Sequence, residues 1–383
     1  MLLSESEGVS VQDNCLKSQK IFVAINKDSG SIDNLQIPGL DHNFVDKNSA
    51  VGLNDYIYLK GVNPADAKTN GAVEITIGER GPLVASLIIK SKAPGCVDLT
   101  RELRLKYGSG QVECIDAVNR ELVREKDAVH FGFGFNVPNG QLRMETPWAV
   151  VRPNKDQLPA SCNNWFSVQR WVDISNDKLG ILWAPLDAPL MEIGGLTANL
   201  LGSVALESWM TEANESTTIY SWAQNNHWHT NYKAEQPGVT TFRYVIAPHT
   251  SGYSSSDAMQ FGHCTTRPLL VYRALNDETW TKLLAFRNQQ PKGLLSIDKP
   301  FVIETLKVSE DGKAWIYRIQ NTEDKSNTLL LGGKGIYTTD LSEQPITPAK
   351  ESQTSIEGSK KTNPEFRHRH QIATSTETPT RGE

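Results

Sequence analysis

Residues 220–232 hold the densest group of chemically capable side chains in this sequence. Their order, YSWAQNNHWHTNY, combines amides, indoles, hydroxyls and imidazoles within one short run. Amides exchange hydrogen bonds with hydroxyl groups, and aromatic faces pack against apolar ring faces. That combination is typical of sites that bind carbohydrates. A buried strand, with its aromatics in the core and its Asn residues shaping a turn, accounts equally for the composition.

The candidate ligand contacts lie in the second half of this run, at Asn225, Asn226, Trp228, Thr230 and Asn231. His227 and His229 are two positions apart, so on a strand they would share a face. Two such histidines could bind zinc if a third ligand completed the site. Hydrogen-bonding histidines that line a groove fit the same spacing. No Cys or carboxylate neighbours them in register, so we assign no metal ligand.

A carboxylate pair suited to glycoside hydrolysis is not evident in the sequence. Retaining hydrolysis needs two carboxyl groups about 5–5.5 Å apart. Asp173 and Asp187 stand in conspicuous runs, but an aspartate at a turn or cap accounts for both. Asp187 precedes Ala-Pro, and Pro interrupts strand pairing at such loop entries. We therefore assign no catalytic residue.

Composition excludes several classes of partner. The chain has 383 residues and a net charge of −5, from 39 basic and 44 acidic side chains, with no basic stripe. Nucleic-acid binding requires clustered Lys and Arg, so we expect none. No run approaches 18 apolar residues, so we expect no membrane span. The first seven residues lack the basic and apolar regions of a signal peptide, which leaves cytoplasm and periplasm open. The five scattered Cys residues indicate neither a zinc ribbon nor a disulfide framework.

Strand signals dominate the pattern. Short alternating segments flank Gly-containing turns near residues 30, 78–82 and 108–110, and further strands are predicted at 179–184 and 240–246. Helical spacing is confined to 276–286. Many strands joined by tight turns predict an all-β protein built on a large antiparallel sandwich. A new, smaller unit begins near residue 294, where 302–308 and 314–319 flank a turn. From residue 342 onward, Ser, Thr, Pro, Glu and Lys prevail, which predicts a disordered tail.

Several residue runs, in order along the chain, resemble the C-terminal half of glycoside hydrolase family 38, the α-mannosidases, and especially its bacterial branch. The matching runs are GLNDYIY at 52–58, ERGPLV at 79–84, WAVVRP at 148–153, DQLP at 156–159, VQRWVDISN at 168–176, WAPLDAPL at 183–190, the run 220–238, and LKVSEDG at 306–312. Together they cover about residues 15 to 335.

The resemblance implies a galactose-mutarotase-like β-supersandwich followed by an immunoglobulin-like β-sandwich. On this basis we predict a supersandwich over 1–265, a linker with a partial immunoglobulin-like sandwich over 266–341, and a disordered low-complexity tail over 342–383. In the family, the nucleophilic Asp and the zinc ligands belong to an N-terminal catalytic barrel and the segment after it. No position here matches them, so the resemblance implies a missing catalytic domain that holds the zinc.

Three functions follow as alternatives. The first is the carbohydrate-binding and structural half of an α-mannosidase, inactive alone, whose partners are a mannose-containing oligosaccharide and the missing N-terminal barrel. The second is an aldose epimerase, for which His229 would pair with Glu207 or Glu235. The third is a freestanding carbohydrate-binding module with Trp222 and Trp228 as stacking platforms.

Overall fold

The computed structural model describes residues 8–197, 209–227, 233–270, 297, 299–323, 325, 327–329, 336–340, 342–348, 354–356 and 371–375. The chain divides into two compact units. The first comprises Met1–Ser254 with Phe261–Thr266, and the second comprises Ser255–Gln260 with Arg267–Glu383. No helix among the described residues is long and apolar enough to cross a lipid bilayer.

The first unit contains nineteen of the described strands. In chain order they are β1 (Ser10–Gln12), β2 (Cys15–Lys17), β3 (Phe22–Ile25), β4 (Ile32–Gln36), β5 (Leu53–Lys60), β6 (Lys68–Thr69), β7 (Val73–Arg80), β8 (Val84–Ser91), β9 (Cys96–Lys106), β10 (Val112–Arg120), β11 (Asp127–Gly134), β12 (Gln141–Thr146), β13 (Ala149–Val151), β14 (Phe166–Ser167), β15 (Val172–Ser175), β16 (Gly180–Pro185), β17 (Leu190–Ile193), β18 (Thr218–Asn225) and β19 (Gly238–His249). A single 3₁₀ turn, Pro64–Asp66, interrupts the described strands.

These strands form two antiparallel sheets. The ten-stranded sheet has the order β1-β2-β3-β4-β5-β11-β18-β17-β14, with β6 paired to β5, and the nine-stranded sheet has the order β13-β12-β15-β16-β19-β10-β9-β8-β7. Strands distant in sequence meet in both, as where β10 pairs with β19 from Val112↔Ile246 to Arg120↔Gly238. The expectation of a large antiparallel sandwich is confirmed.

The core lies between the two sheets. Phe133 of the ten-stranded sheet contacts Trp183 and Tyr244 of the nine-stranded sheet, with ring centroids 5.3 and 5.1 Å apart. All three side chains are fully buried. Large aromatic side chains bury 150–250 Å² each, about the largest apolar contribution a single residue can make. Alternate residues of each central strand supply this layer, which leaves the intervening residues on the outer faces.

A polar network centred on Asp116 crosses this apolar layer. Asn54 on β5 donates from Nδ2 to Oδ1 of Asp116 on β10 at 2.8 Å. Arg101 on β9 donates to the carbonyl oxygens of Asn54, at 2.9 Å, and Ser29, at 2.5 Å. Arg101 and Asp116 are opposite each other in the β9–β10 pairing. Burial raises the pKa of Asp116 to about 7, against the opposing effects of Asn54 and Arg101.

The second unit contains the remaining strands, β20 (Phe301–Val308), β21 (Trp315–Asn321), β22 (Asn327–Leu329), β23 (Ile336–Thr339), β24 (Pro345–Pro348), β25 (Thr354–Ile356) and β26 (Gln371–Ser375). They form a five-stranded sheet in the order β20-β21-β26-β23-β24 and a two-stranded sheet, β22-β25. Phe301, Tyr317, Ile319 and Leu329 form its apolar cluster. The predicted hairpin at 302–308 and 314–319 is therefore present as β20 and β21.

The structure differs from the sequence expectation beyond residue 342. Composition predicted a disordered tail over 342–383, yet β24, β25 and β26 lie within that range, and β26 pairs with both β21 and β23. Main-chain hydrogen bonds hold a strand whatever its average hydropathy, and β26, with the sequence QIATS, contains Ile372 and Thr374, two residue types that favour strands. The average composition of these 42 residues does not reveal strands as short as these.

The one described α-helix, α1 (Ser255–Thr266), was not predicted. Its sequence, SSDAMQFGHCTT, has weak apolar periodicity, so the pattern gave little signal. Asp257 lies in its first turn, where a negative charge is favoured by the exposed backbone N–H groups. The helix predicted at 276–286 lies outside the described residues.

Candidate functional site

Strand β18 positions the start of the Asn- and Trp-rich run. It lies between β11, which pairs with it from Thr218 to Asn225, and β17, which pairs with its first half at Ile219–Ser221. Ile219 belongs to the core between the sheets, and Ser221 accepts a hydrogen bond from the Tyr244 hydroxyl at 2.9 Å. Because side chains alternate along a strand, Trp222 is directed to the outer face of the ten-stranded sheet.

A compact polar and aromatic cluster surrounds Trp222 on that outer face. The His130 ring on β11 stacks on the indole, with centroids 5.3 Å apart and planes inclined by 24°. His227 meets the same indole edge-on, with centroids 5.9 Å apart. A register shift in the β11–β18 pairing between Val129 and His130 brings His130 opposite Trp222. All three rings are buried. We call these three residues, with Glu192, the outer-face cluster.

Glu192 on β17 supplies the carboxylate of the outer-face cluster. Its Oε2 lies 3.0 Å from Nε2 of His130, and both side chains are fully buried. Its Oε1 accepts hydrogen bonds from the Thr197 backbone N–H, at 2.8 Å, and from the Thr197 hydroxyl, at 2.7 Å. The chain after β17 therefore folds back over the sheet and covers the carboxylate.

Several buried polar atoms around this cluster have no hydrogen-bond partner among the described residues. They include both ring nitrogens of His130, Oε2 of Glu192, Nε1 of Trp222, Oε1 of Gln224 and Oδ1 of Asn226, so the 3.0 Å contact between Nε2 and Oε2 lacks hydrogen-bond geometry. An unpaired buried polar atom costs about 1–3 kcal/mol. The set contains both donors and acceptors, which suits a hydroxylated ligand, ordered water or polar side chains of the neighbouring segments.

Asn226 ties the end of β18 to the loop that precedes β11. Its Nδ2 donates to the carbonyl oxygens of Val123, at 2.9 Å, and Glu125, at 3.1 Å. Its backbone N–H donates to the Asp127 carbonyl at 2.8 Å. The Asn225 side chain accepts from the His227 backbone N–H at 2.9 Å, which shapes the turn after the strand. These contacts favour a supporting role for both Asn residues.

The other three predicted ligand contacts, Trp228, Thr230 and Asn231, lie outside the described residues, as does His229. Strand β18 ends at Asn225, so His227 is not on a strand and the same-face argument for a histidine pair has no structural basis. Among the described residues, no group of three or more His, Cys, Asp or Glu side chains is placed to hold a metal ion.

The remaining sequence candidates take part in ion pairs. Asp187 accepts three hydrogen bonds from Arg243, from the backbone N–H, Nε and Nη2, at 2.8–2.9 Å. Asp173 is buried and accepts from the Ser175 hydroxyl at 2.5 Å. Glu235, a candidate base for an epimerase, pairs with Arg124. Its proposed partner, His229, and the alternative carboxylate, Glu207, lie outside the described residues.

Sequence reasoning missed His130 and Glu192. His130 stands in β11, whose eight residues DAVHFGFG are all buried, and Glu192 stands in β17, LMEI, beside two buried apolar residues. A titratable side chain inside a short apolar strand is the signal that could have found them. Charged residues are almost never fully buried unless they are paired. Their pairing with each other could not be read from the sequence.

Residues 300–374 match the family model for the glycosyl hydrolases family 38 C-terminal beta sandwich domain. This range includes β26 and so extends into the segment that composition predicted as disordered. A search of curated protein sequences found no match.

Two solved structures match over 96% of this chain. One is an α-mannosidase from Enterococcus faecalis, with 14% identity and a TM-score of 0.67, and the other is a protein in the glycosyl hydrolase family 38 from Enterococcus faecalis, with 13% identity and a TM-score of 0.66. The chain spans 43% and 44% of their lengths. A galactose mutarotase related enzyme from Lactobacillus acidophilus matches more weakly, with 11% identity and a TM-score of 0.37, over 63% of this chain and 98% of its own.

The fold is thus that of a β-supersandwich followed by a small β-sandwich. The resemblance to the C-terminal portion of glycoside hydrolase family 38 is confirmed by the family model and by the two Enterococcus structures.

Proposed function

We propose that this chain is the carbohydrate-binding and structural part of an α-mannosidase, and that it acts together with a zinc-dependent catalytic part outside this sequence. The observation that carries the proposal is the match of residues 300–374 to the family 38 C-terminal domain, within a chain whose fold follows an α-mannosidase over 96% of its length. Because the chain spans less than half of that enzyme, the remaining part supplies the chemistry in this proposal.

The arrangement of the described side chains supports a non-catalytic role. The closest His–carboxylate contact in the outer-face cluster, His130 with Glu192, is fully buried, and Glu192 is already occupied by Thr197. A general acid or base must come within hydrogen-bond reach of the substrate proton it transfers. Asp187 and Glu235 are held by Arg243 and Arg124. We therefore assign Glu192, Asp187 and Glu235 to structure.

The role proposed for the run at 225–231 is to line or support the mannoside site. Asn226 supports the run by holding the end of β18, and Asn225 shapes the turn that leads into it. Trp228, Thr230 and Asn231 are the proposed sugar contacts, since they combine a stacking ring with hydroxyl and amide groups.

In the proposed enzyme, zinc is bound by the catalytic part and not by the described residues of this chain. The described residues offer no set of three ligands, whereas a catalytic zinc site takes three protein ligands and keeps one position open. When bound there, zinc would polarise the substrate or an attacking oxygen. No step of that chemistry is assigned to residues of this chain.

The test separates hydrolysis from epimerisation. Purified chain is incubated with 4-nitrophenyl α-D-mannopyranoside, with and without zinc, and anomer interconversion of free mannose and galactose is followed by polarimetry. We expect neither activity. Turnover by the chain alone at about 1 s⁻¹ or faster, within the ordinary range of enzymes, would contradict the proposal. Rapid anomer interconversion would instead establish the epimerase alternative.

A positive arm joins the N-terminal part of the Enterococcus faecalis α-mannosidase, up to the point where the match begins, to this chain. We expect zinc-dependent hydrolysis from the fusion. The matched control carries the same N-terminal part without any C-terminal portion, and we expect it to be inactive. In the active fusion, Trp228→Ala should raise KM more than it lowers kcat if the indole binds the sugar in its ground state.

A further inference from the structure

A serine, a histidine and an aspartate meet on the outer face of the nine-stranded sheet. His249 is the last residue of β19, and its Nδ1 lies 3.3 Å from the Ser251 hydroxyl oxygen. Its Nε2 lies 3.3 Å from Oδ2 of Asp173 on β15. The imidazole is therefore placed between a hydroxyl and a carboxylate, as in hydrolases that use a serine nucleophile. All three residues belong to the first unit.

A glycine on the intervening strand lets the imidazole reach the aspartate. Strand β16 lies between β15 and β19, and its Gly180 pairs with Ser175 on one side and with His249 on the other. A Cβ at Gly180 would lie 2.6 Å from Nε2 of His249 and 2.5 Å from Cβ of Ser175. Because glycine has no side chain, the ring can lie over β16 and approach Asp173. A larger residue at position 180 would displace the ring.

Two further side chains hold the carboxylate of Asp173. Its Oδ1 accepts a hydrogen bond from the Ser175 hydroxyl at 2.5 Å, and it lies 3.9 Å from Nη1 of Arg143 on β12. The Arg143 guanidinium is placed over the Tyr253 ring, 4.4 Å from its centroid. A carboxylate fixed beside an imidazole selects its tautomer and orientation. Here it favours a proton on Nε2, which leaves Nδ1 to accept the proton of the serine.

Exposure increases from the carboxylate to the hydroxyl. The side chains of Asp173 and His249 are 2% and 20% exposed, and Ser251 is exposed. A substrate can therefore reach this imidazole, unlike that of the fully buried His130. Gly252 follows the serine, and its backbone N–H donates no backbone hydrogen bond within the described part of the chain. The N–H of the residue after a nucleophilic serine can stabilise the oxyanion.

We propose that Ser251 and His249 are the catalytic residues of a site that hydrolyses carboxylic esters, and that Asp173 positions the imidazole. The serine oxygen attacks the carbonyl carbon and its proton passes to Nδ1 of His249, while the carbonyl electron pair moves onto the oxygen near the Gly252 N–H. The bond to the alcohol then breaks, and the alcohol leaves with the proton from His249. Water attacks the acyl-serine in the same way, which releases the acid and returns the proton to Ser251.

The surroundings indicate the class of ester. Ser251 lies between Thr250 and Gly252, which offer no large apolar surface, whereas a long acyl chain gains binding energy by burying its methylene groups. Esters of short-chain acids are therefore the expected substrates. The contact between Nε2 of His249 and Oδ2 of Asp173 lacks hydrogen-bond geometry. Catalytic hydrogen bonds are often long or poorly aligned without substrate and tighten when it binds.

The test uses the full chain with 4-nitrophenyl acetate and with a fluorophosphonate probe, which modifies activated serines and is located by peptide mass spectrometry. We expect saturable hydrolysis and modification at Ser251. Ser251→Ala changes an exposed side chain, so it should keep the fold, abolish the modification and lower kcat/KM by about 100-fold or more. His249→Gln should do the same. Asp173→Asn keeps an oxygen for Ser175 and should lower kcat more than it changes KM.

The matched control is Ser167→Ala, which removes another exposed serine hydroxyl and should change neither readout. Wild-type chain that the probe does not modify at Ser251 overturns the inference. Hydrolysis that stays at the wild-type rate in Ser251→Ala or in His249→Gln also overturns it, and a preference for the decanoate over the acetate ester overturns the assignment to short-chain acids. The inference does not rest on the proposed function, and each of these results leaves the mannoside and polarimetry tests unaffected.

Discussion

The imidazole of His130 lies nearly parallel to the indole of Trp222, with the ring centroids 5.3 Å apart on the outer face of the ten-stranded sheet. His130 also lies 3.0 Å from Glu192 across the same face. Three adjacent strands, β11, β18 and β17, therefore each contribute one side chain to a single buried contact. Trp222, the residue of this contact on β18, comes shortly before the Asn-rich run in the sequence.

Trp222→Ala is expected to destabilise the first unit by about 3–5 kcal/mol, because it leaves a cavity beside two buried imidazoles. Trp222→Phe keeps a ring against His130 and should cost clearly less. Denaturant unfolding followed by circular dichroism measures both differences. A cost below about 1 kcal/mol for the alanine variant would mean that the outer-face cluster contributes little to folding.

Glu192→Ala should lower the free energy of unfolding by about 1–3 kcal/mol, since it removes both hydrogen bonds that Thr197 donates to this buried carboxylate. Glu192→Gln keeps an oxygen that can accept both hydrogen bonds. We expect it to recover much of that loss. If the Gln variant is as unstable as the Ala variant, the charge opposite His130 matters more than the hydrogen bonds to Thr197.

Because of Asp116, the free energy of unfolding should decrease as the pH rises, which is opposite to the usual effect of a carboxyl group. Burial raises its pKa to about 7 in the folded chain, so between about pH 4 and 7 the folded state keeps a proton that the unfolded state releases. The contribution of Asp116 to the free energy of unfolding is largest below the pKa that this group has in the unfolded chain, and it is lost as the pH rises toward 7. The slope is at most about 1.4 kcal/mol per pH unit.

Asp116→Asn removes this titration and keeps an oxygen for the Asn54 amide. The difference in unfolding free energy between wild type and variant should therefore change in favour of the variant from pH 4.5 to 7, and then level off. Urea unfolding at a series of pH values measures it. A difference that is constant with pH would show that Asp116 is ionised throughout, paired with Arg101.

Asn226→Ala should cost about 1–3 kcal/mol, because it removes the two hydrogen bonds that the buried Asn226 amide donates to the carbonyl oxygens of Val123 and Glu125. Asn225→Ala is the matched neighbour; it is half-buried, its side chain accepts from the His227 backbone N–H, and the substitution should cost less. Amide hydrogen exchange in the loop before β11 should accelerate in the first variant and not in the second. Equal exchange in both would contradict the supporting role of Asn226.

The sequence predicted the elements whose signals are local. The hairpins β3–β4, β7–β8, β9–β10 and β20–β21 follow from alternation around glycine turns, and their bounds fall within a few residues of expectation. Pairings such as β10 with β19 depend on the arrangement of the whole sandwich. No local pattern encodes them.

The candidate site was predicted only in part. Residue types in the run at 220–232 indicated a site at the end of β18, which stays a prediction, and the contacts of Trp222 with His130 and of His130 with Glu192 join residues from three strands. The contact of His249 with Asp173 was not predicted either, since these residues are far apart in the sequence. They meet only because Gly180 lies between them in the sheet.

The side-chain amide of Asn226 links two segments that are far apart in the sequence, the end of β18 and the loop at 121–126. An inserted residue or an antibody that displaces the loop at 121–126 would therefore also displace Asn226 at the end of β18. Such a change would act on the start of the Asn-rich run without substituting any of its residues. That loop is exposed at Leu122, which makes it a practical handle for engineering.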